Sequence, residues 1–106
     1  MYGLKEETIR NINSIFSAHP QIEEAILYGS RAKGNYKDGS DIDLTLKGDF
    51  LKLEVMNKIG LQLDDLLLPY TIDISVYKSI RNPDLLDHIK RVGIIFYKKR
   101  VPTIQE

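Results

Sequence analysis

The sequence predicts an α/β fold in which a small mixed sheet of about four strands packs against helices on one face. Three observations predict it: helical and period-two patterns alternate along the chain, glycine and proline separate them, and no segment is repeated. With 106 residues, 42% of them hydrophobic and 28% charged, the chain is expected to form a single domain over residues 1–106.

The first helix is predicted between residues 4 and 18, where apolar residues recur at helical spacing. These residues are Ile9, Ile12, Ile15 and Phe16. Proline disfavours the helical conformation for the residue before it, so Pro20 is expected to end the helix and leave His19 on the surface. The apolar run Ala25–Tyr28 then predicts a buried strand, which Gly29 ends.

The middle of the chain predicts a strand, a helix and another strand. A polar loop over residues 29–39 leads to Asp41–Leu46, where polar and apolar residues alternate as in a strand with one buried face. Asp49 is expected to cap the next helix, whose apolar stripe extends to about Leu66. The stripe consists of Leu53, Met56, Ile59 and Leu63. The segment Tyr70–Tyr77 alternates again and predicts the third strand.

The last helix is predicted to begin at Asn82 and Pro83, because asparagine caps helices and proline favours the first helical position. Gly93 is placed to end this helix, and Ile94–Tyr97 predicts the last strand. The apolar stripe of the helix consists of Leu85, Leu86, Ile89 and Val92. His88 lies off this stripe, so it is expected on the surface.

Three aspartates lie on the polar faces of the second and third predicted strands. Asp41 and Asp43 are two residues apart, so their side chains point the same way, and Asp73 is flanked by Ile72 and Ile74. If these strands pair, cross-strand neighbours lie ~5 Å apart and the three carboxylates converge. Divalent cations such as Mg²⁺ would offset their repulsion, and this arrangement favours phosphoryl or nucleotidyl transfer. Taken alone, an Asp-x-Asp pair is also typical of the solvated side of an edge strand.

The loop after the first strand, residues 29–34 (Gly-Ser-Arg-Ala-Lys-Gly), has the features of an anion-binding turn. Gly29 would let the backbone approach a phosphate closely, and Ser30 would cap a short helix and donate its hydroxyl. The N–H groups that open such a helix attract anions, and Arg31 and Lys33 add positive charge nearby. Taken alone, this glycine and serine are also compatible with a plain turn.

Together the two motifs resemble the signature of the DNA polymerase β-like nucleotidyltransferase superfamily. A Gly-Ser pair at Gly29 is followed, after ten residues, by an Asp-x-Asp that ends at Asp43, and Asp73 lies on a later strand. The form Gly-Ser-Arg-Ala-Lys-Gly…Gly-Ser-Asp-Ile-Asp-Leu is similar to the minimal nucleotidyltransferases, the MntA-like antitoxins that are paired with HEPN-domain toxins. The resemblance extends over about residues 26–97 and implies a polymerase β-like fold.

The resemblance implies a role for each residue of the motif. Asp41 and Asp43 would bind two Mg²⁺ ions, and Asp73 would bind the ion that activates the attacking hydroxyl and would help to take its proton. Gly29 and Ser30 would hold the β- and γ-phosphates of ATP. The basic positions that the family usually has in this loop correspond to Arg31 and Lys33.

The resemblance also implies a function: AMP transfer from ATP to a hydroxyl, with a tyrosine of a partner HEPN toxin as the acceptor and an antitoxin role for this chain. Two alternatives stay open. One is a non-catalytic module that neutralises its partner by contact, and the other is a nucleotidyltransferase that acts on a small molecule. The sequence leaves open the nucleotide preference, the number of nucleotides transferred, the acceptor residue and the oligomeric state, homo-oligomers included.

Composition excludes several other classes. Fifteen basic residues balance fifteen acidic ones, so strong nucleic-acid binding is not expected. The absence of cysteine excludes disulfides and thiolate chemistry. No apolar run approaches the ~20 residues of a membrane span, so no membrane association is expected and a cytoplasmic location is predicted.

Overall fold

The computed structural model describes residues 1–100 and contains one four-stranded sheet with its helices. The helices are α1 (Glu6–Ser17), α2 (Ser30–Lys33), α3 (Leu53–Asp64) and α4 (Pro83–Val92), with a 3-10 turn at Tyr77–Ser79. The strands are β1 (Glu24–Tyr28), β2 (Ile42–Lys47), β3 (Ile72–Val76) and β4 (Ile94–Lys98). None of the helices within residues 1–100 combines the length and the hydropathy of a membrane span.

The strand order is β3–β2–β1–β4, with β1 antiparallel to both of its neighbours and β2 parallel to β3. The parallel pair is connected through α3, as parallel strands require a crossover of this kind. The predicted α/β class with a mixed four-stranded sheet is therefore confirmed.

One face of the sheet forms the hydrophobic core with α1 and α3. The period-two pattern of β2 places its apolar side chains on this face, where Ile42, Leu44 and Leu46 are fully buried. Burial of each such side chain contributes about 1.5–3 kcal/mol. The two helices supply Ile12, Phe16, Ile59 and Leu63 to the same core.

Helix α4 contacts the opposite face of the sheet. Ile26 and Tyr28 point away from the core, because the residues between and beside them on β1 are buried in it. The ring of Tyr28 meets that of His88 edge-on, with 6.2 Å between the centroids, and Gly93 lies so close to Ile26 that a β-carbon there would crowd it. The predicted packing of helices on one face holds for α1 and α3. Helix α4 instead packs on the opposite, polar face of the sheet.

The ends of the helices confirm one predicted cap and contradict another. The side chain of Asn82 accepts hydrogen bonds from the N–H groups of Asp84 and Leu85, so this cap is confirmed. The cap predicted at Asp49 was wrong, because α3 begins only at Leu53 and the Asp49 carboxylate instead accepts a hydrogen bond from Lys78. The chain leaves α4 at Gly93 as predicted, in an extended conformation.

The expectation that His19 is a surface residue was wrong. Its side chain is buried, and Nε2 lies 2.7 Å from Oε1 of Gln62 on α3. The turn after α1 folds back so that the Ile22 N–H bonds the His19 carbonyl, which brings the imidazole against α3. This histidine therefore joins the turn after α1 to α3.

Candidate active site

Three side chains form a row across the polar face of the sheet. In the parallel pair of strands Asp43 faces Asp73, and in the antiparallel pair Tyr28 faces Asp43. Residues that face one another across adjacent strands point to the same side of the sheet. Asp43 and Asp73 therefore lie next to each other on the side opposite the core, as the alternating sequence pattern predicts.

Asp41 lies immediately before β2 rather than within it. The next residue, Ile42, donates its N–H to the Thr71 carbonyl at 2.9 Å, so the start of β2 is fixed beside the start of β3. Asp41 and Asp73 are exposed, while Asp43 is half-buried. Of the three carboxylates, Asp43 is the one most removed from solvent.

The charges of the three aspartates act on one another. Burial raises the pKa of Asp43, and the negative charges of Asp73 and then Asp41 raise it further, whereas His88 opposes the rise. A raised pKa means that the ionised form of Asp43 is disfavoured in these surroundings. A bound cation would remove this penalty.

The carboxylates of the site can hold a divalent cation only together with other ligands. Within residues 1–100 no group of three or more acidic or histidine side chains is already gathered closely enough to enclose a metal ion. Mg²⁺ nevertheless needs only a few carboxylate ligands when substrate phosphates supply the others. The facing Asp43 and Asp73, together with the raised pKa of Asp43, fit such a cation.

The Gly29–Ser30 turn lies against the carboxylate of Asp43. Gly29 has φ 76° and ψ −155°, a conformation that is essentially restricted to glycine. A β-carbon at this position would collide with the carboxylate of Asp43. Ser30 begins the single-turn helix α2, which ends at Gly34 in the left-handed conformation. The Gly-Ser pair is therefore adjacent in space to Asp43.

His88 belongs to this site, and its expected surface position is contradicted by its contacts. The Gly29 N–H donates a hydrogen bond to Nε2 of His88 at 3.1 Å, and the ring of Tyr28 packs edge-on against the imidazole. The apolar stripe of α4 gave no indication of this role, because His88 lies beside the stripe and faces the turn instead of the core. Its residue type was the only signal in the sequence.

The two basic residues of the loop have different surroundings. Lys33 is exposed, so its ammonium group is free to meet an anion from solvent. Arg31 is 3% exposed, and its guanidinium donates hydrogen bonds to the carbonyls of Ser40 and Tyr2. Of these two basic residues, Lys33 is therefore the one that lies at the accessible surface.

Hydroxyl groups lie beside the aspartates on the polar face. Ser75 Oγ donates to Thr45 Oγ1 at 2.9 Å, and Thr45 is fully buried. Burial raises the pKa of the Tyr28 phenol; a hydrogen bond with Ser75 opposes the rise, and the charges of Asp43 and Asp73 add to it. Tyr28 consequently stays protonated at neutral pH and lies near the carboxylates as a neutral group.

Comparison with known protein families matches residues 10–101 to the family described as polymerase beta, nucleotidyltransferase. The chain belongs to this family. The Gly29–Ser30 turn and the facing Asp43 and Asp73 therefore lie within a nucleotidyltransferase domain. A comparison with curated protein sequences gives no match.

Solved structures with a similar fold include members of toxin–antitoxin complexes. A toxin–antitoxin structure with AMP-PNP matches with a TM-score of 0.67 and 20% identity, over 92% of this chain and 76% of that chain. A second structure is that of a tri-AMPylated Shewanella oneidensis HEPN toxin in complex with MNT antitoxin. One of its chains matches with a TM-score of 0.65 and 16% identity, over 91% of this chain and 74% of that chain. An MntA–HepT toxin–antitoxin structure gives a TM-score of 0.65 and 16% identity, over 90% and 74%. At these identities the likeness concerns the fold alone.

In this nucleotidyltransferase fold the polar face of the sheet can hold an anionic substrate only with help from cations. Asp41, Asp43 and Asp73 would repel a triphosphate, whereas the adjacent turn contributes Ser30 and the charge of Lys33. The carboxylates of Asp41, Asp43 and Asp73 beside this turn suit a substrate that arrives with its own divalent cations.

Proposed function

We propose that the protein transfers AMP from ATP to a hydroxyl group in a Mg²⁺-dependent reaction, and that the acceptor is a tyrosine of a partner HEPN-domain toxin. The observation that carries the proposal is the facing pair Asp43 and Asp73 beside the Gly29–Ser30 turn, within a polymerase beta nucleotidyltransferase domain. The similar folds of the chains in toxin–antitoxin structures support the choice of partner. In this role the chain is an antitoxin.

In the proposed reaction the acceptor oxygen forms a bond to the α-phosphorus of ATP. The bond between that phosphorus and the bridging oxygen to the β-phosphorus breaks, and pyrophosphate leaves. The acceptor's proton goes to Asp73, which is exposed and faces Asp43, and then to solvent. The products are the AMP-modified hydroxyl, pyrophosphate and a proton.

The residues of the chain would position the reactants. Asp41, Asp43 and Asp73 would hold Mg²⁺, which when bound supplies positive charge to offset the carboxylates and the phosphate oxygens. Ser30 would donate its hydroxyl to the β- or γ-phosphate, and Lys33 would add charge from the rim of the loop. Phosphoryl chemistry of this kind depends on position and electrostatics more than on covalent participation by the protein.

The decisive experiment incubates the protein with ATP labelled in the adenosine or α-phosphate, Mg²⁺ and a HEPN-domain protein encoded by the neighbouring gene. Label is expected on a tyrosine of the partner, and EDTA or the double substitution Asp41→Ala and Asp43→Ala should abolish it. An unlabelled partner, together with full neutralisation of the toxin by the double variant, would rule out catalysis as the mechanism.

A non-catalytic antitoxin that acts by contact is the second candidate. One observation favours it: Leu53 and Leu61 on α3 are 75% and 66% exposed, and an apolar groove beside them is lined by Met56 and Ile74. Exposed apolar patches frequently mark protein–protein contacts. Neutralisation that proceeds without ATP would favour this candidate, whereas strict ATP dependence would favour AMP transfer. Screening of small-molecule hydroxyl acceptors without any protein partner tests the third alternative.

A further inference from the structure

We propose that Arg31 is a positioning residue that fixes the segment leading into Asp41 against the Gly29–Ser30 turn, and that it does not bind the triphosphate. This proposal rests on the proposed function for its consequence in catalysis, but its structural content can be tested without any AMP transfer. It revises the assignment of Arg31 that the family resemblance implies.

The hydrogen bonds of Arg31 carry the proposal. Nε and Nη2 both donate to the carbonyl of Ser40, at 3.0 and 2.7 Å, and Nη1 donates to the carbonyl of Tyr2 at 2.9 Å. Two N–H groups of the planar guanidinium thus donate to the same carbonyl oxygen. The ammonium group of lysine cannot reproduce this geometry. Since Ser40 immediately precedes Asp41, this contact joins the phosphate turn to the carboxylates.

The surroundings of Arg31 leave little of it for a ligand to touch. Its side chain is 3% exposed, and the guanidinium carbon lies 4.8 Å from the ring centroid of Tyr70 and 5.4 Å from that of Tyr36. Cation–π contacts of this length stabilise a buried guanidinium. A β-carbon at Gly3 would collide with the ring of Tyr36 and crowd Nη1, so the backbone packs tightly on this side as well.

The segment held by Arg31 is itself ordered by local hydrogen bonds. The Ser40 N–H donates to the Lys37 carbonyl at 3.0 Å, and the Lys37 N–H donates to the Ser40 hydroxyl at 2.8 Å. The Ile42 N–H then bonds the Thr71 carbonyl. Arg31 connects this closed turn to α2, so its loss should loosen the turn and displace Asp41 without removing any group from the triphosphate.

The test compares Arg31→Lys, Arg31→Ala and Lys33→Ala with the wild type by amide hydrogen exchange of the nucleotide-free protein. Exchange at Ser40 and Ile42 is expected to accelerate about tenfold or more in both Arg31 variants, relative to core amides such as Leu44. Lys33→Ala should leave these two amides within about twofold of the wild type. Arg31→Lys preserves the positive charge, so it still tests the proposal if Arg31→Ala does not fold. Unchanged exchange at Ser40 and Ile42 in Arg31→Lys would overturn the proposal.

Two further readouts separate positioning from phosphate binding. In AMP transfer to the HEPN partner, Arg31→Lys should lower kcat about tenfold or more while the KM for ATP stays within about twofold. Free guanidinium should restore part of the activity of Arg31→Ala, because the space between Tyr36 and Tyr70 can receive it. A KM for ATP that rises more than tenfold at an unchanged kcat would instead assign Arg31 to the triphosphate. If neither the wild type nor any variant transferred AMP, the proposed function would be refuted. The hydrogen-exchange result would then still test whether Arg31 positions the segment before Asp41.

Discussion

The backbone N–H of Gly29 donates a hydrogen bond to Nε2 of His88, 3.1 Å away, so the first residue of the Gly29–Ser30 turn is attached to α4. An imidazole nitrogen that accepts a hydrogen bond carries no proton on that nitrogen, so the bond from Gly29 requires an unprotonated Nε2. The edge-on contact with Tyr28 holds the ring in the orientation that this bond requires. His88 therefore stabilises a turn whose glycine adopts a conformation unfavourable to other residues.

Replacement of His88 should weaken both the fold and the binding of nucleotide. His88→Leu leaves the Gly29 N–H without its acceptor, which costs about 1–2 kcal/mol of unfolding free energy, and the loosened turn should raise the KM for ATP. Chemical denaturation and AMP-transfer kinetics measure the two effects. His88→Gln provides the matched control, since its side-chain oxygen can reach a similar position and should retain about half of the lost stability. Equal stability of His88→Leu and the wild type would show that the bond contributes nothing.

The arrangement of His88 illustrates what the sequence could and could not predict. The apolar stripe of α4 predicted the helix and its buried side correctly, as at Ile89, which is 3% exposed. A stripe indicates which side of a helix is covered, but it does not say which face of the sheet covers it. Because α4 lies on the polar face, a residue beside its stripe meets Gly29. Only the three-dimensional packing of α4 reveals this contact.

The carboxylates were predictable for a different reason. Alternation has a period of two, so the apolar residues on either side of Asp43 and of Asp73 indicated the side of the sheet to which the two carboxylates point. The pairing of their strands followed from the topology and was not readable from either segment alone. Arg31 was the opposite case: its place in a basic loop indicated a ligand for phosphate, while its burial depends on Tyr70 from a distant segment.

Gly29 should tolerate no side chain. In Gly29→Ala the added methyl group would collide with the Asp43 carboxylate, and the backbone would keep a conformation that costs about 1–3 kcal/mol for a non-glycine residue. We expect kcat/KM for AMP transfer to fall more than about tenfold, since each tenfold corresponds to about 1.4 kcal/mol. Steady-state kinetics of AMP transfer measure the loss.

Gly60 offers a matched control for this substitution. It lies inside α3, and a β-carbon there would meet nothing within 4 Å. Gly60→Ala should therefore raise the unfolding free energy by about 0.5–1 kcal/mol through the entropy of the unfolded chain, with activity retained. Comparable loss of activity in both alanine variants would contradict the specific role of the turn.

Ionisation of Asp43 should destabilise the metal-free protein. The folded state raises its pKa above the ordinary value of 3.8, chiefly through burial and then through the charges of Asp73 and Asp41. Below pH 3.8 the Asp43 carboxyl is protonated in both the folded and the unfolded state. The stability that depends on the protonated carboxyl is therefore fully present there. As the pH rises through the folded-state pKa this contribution is lost, because the unfolded state releases the proton first.

Asp43→Asn removes this effect and should be more stable than the wild type at neutral pH. We expect the difference in unfolding free energy between variant and wild type, measured in EDTA, to increase from pH 3 to pH 7. Asp64→Asn is the control, since Asp64 is an exposed residue at the end of α3 and should show no comparable increase. A wild type that becomes more stable than Asp43→Asn as the pH rises would reverse the sign and exclude this account.

Addition of Mg²⁺ and ATP should reverse the penalty in proteins that keep both Asp43 and Asp73. A ligand that binds only the folded state at a hundred times its Kd stabilises it by about 2.7 kcal/mol, so the Tm should rise by several degrees. Asp73→Asn removes one of the two facing carboxylates and should lose most of this rise, whereas Asp64→Asn should retain it. ATP with EDTA separates the contribution of the cation from that of the nucleotide. If Mg²⁺ with ATP raised the Tm of Asp73→Asn as much as that of the wild type, Asp73 would not hold the cation, and the carboxylate row would need another explanation.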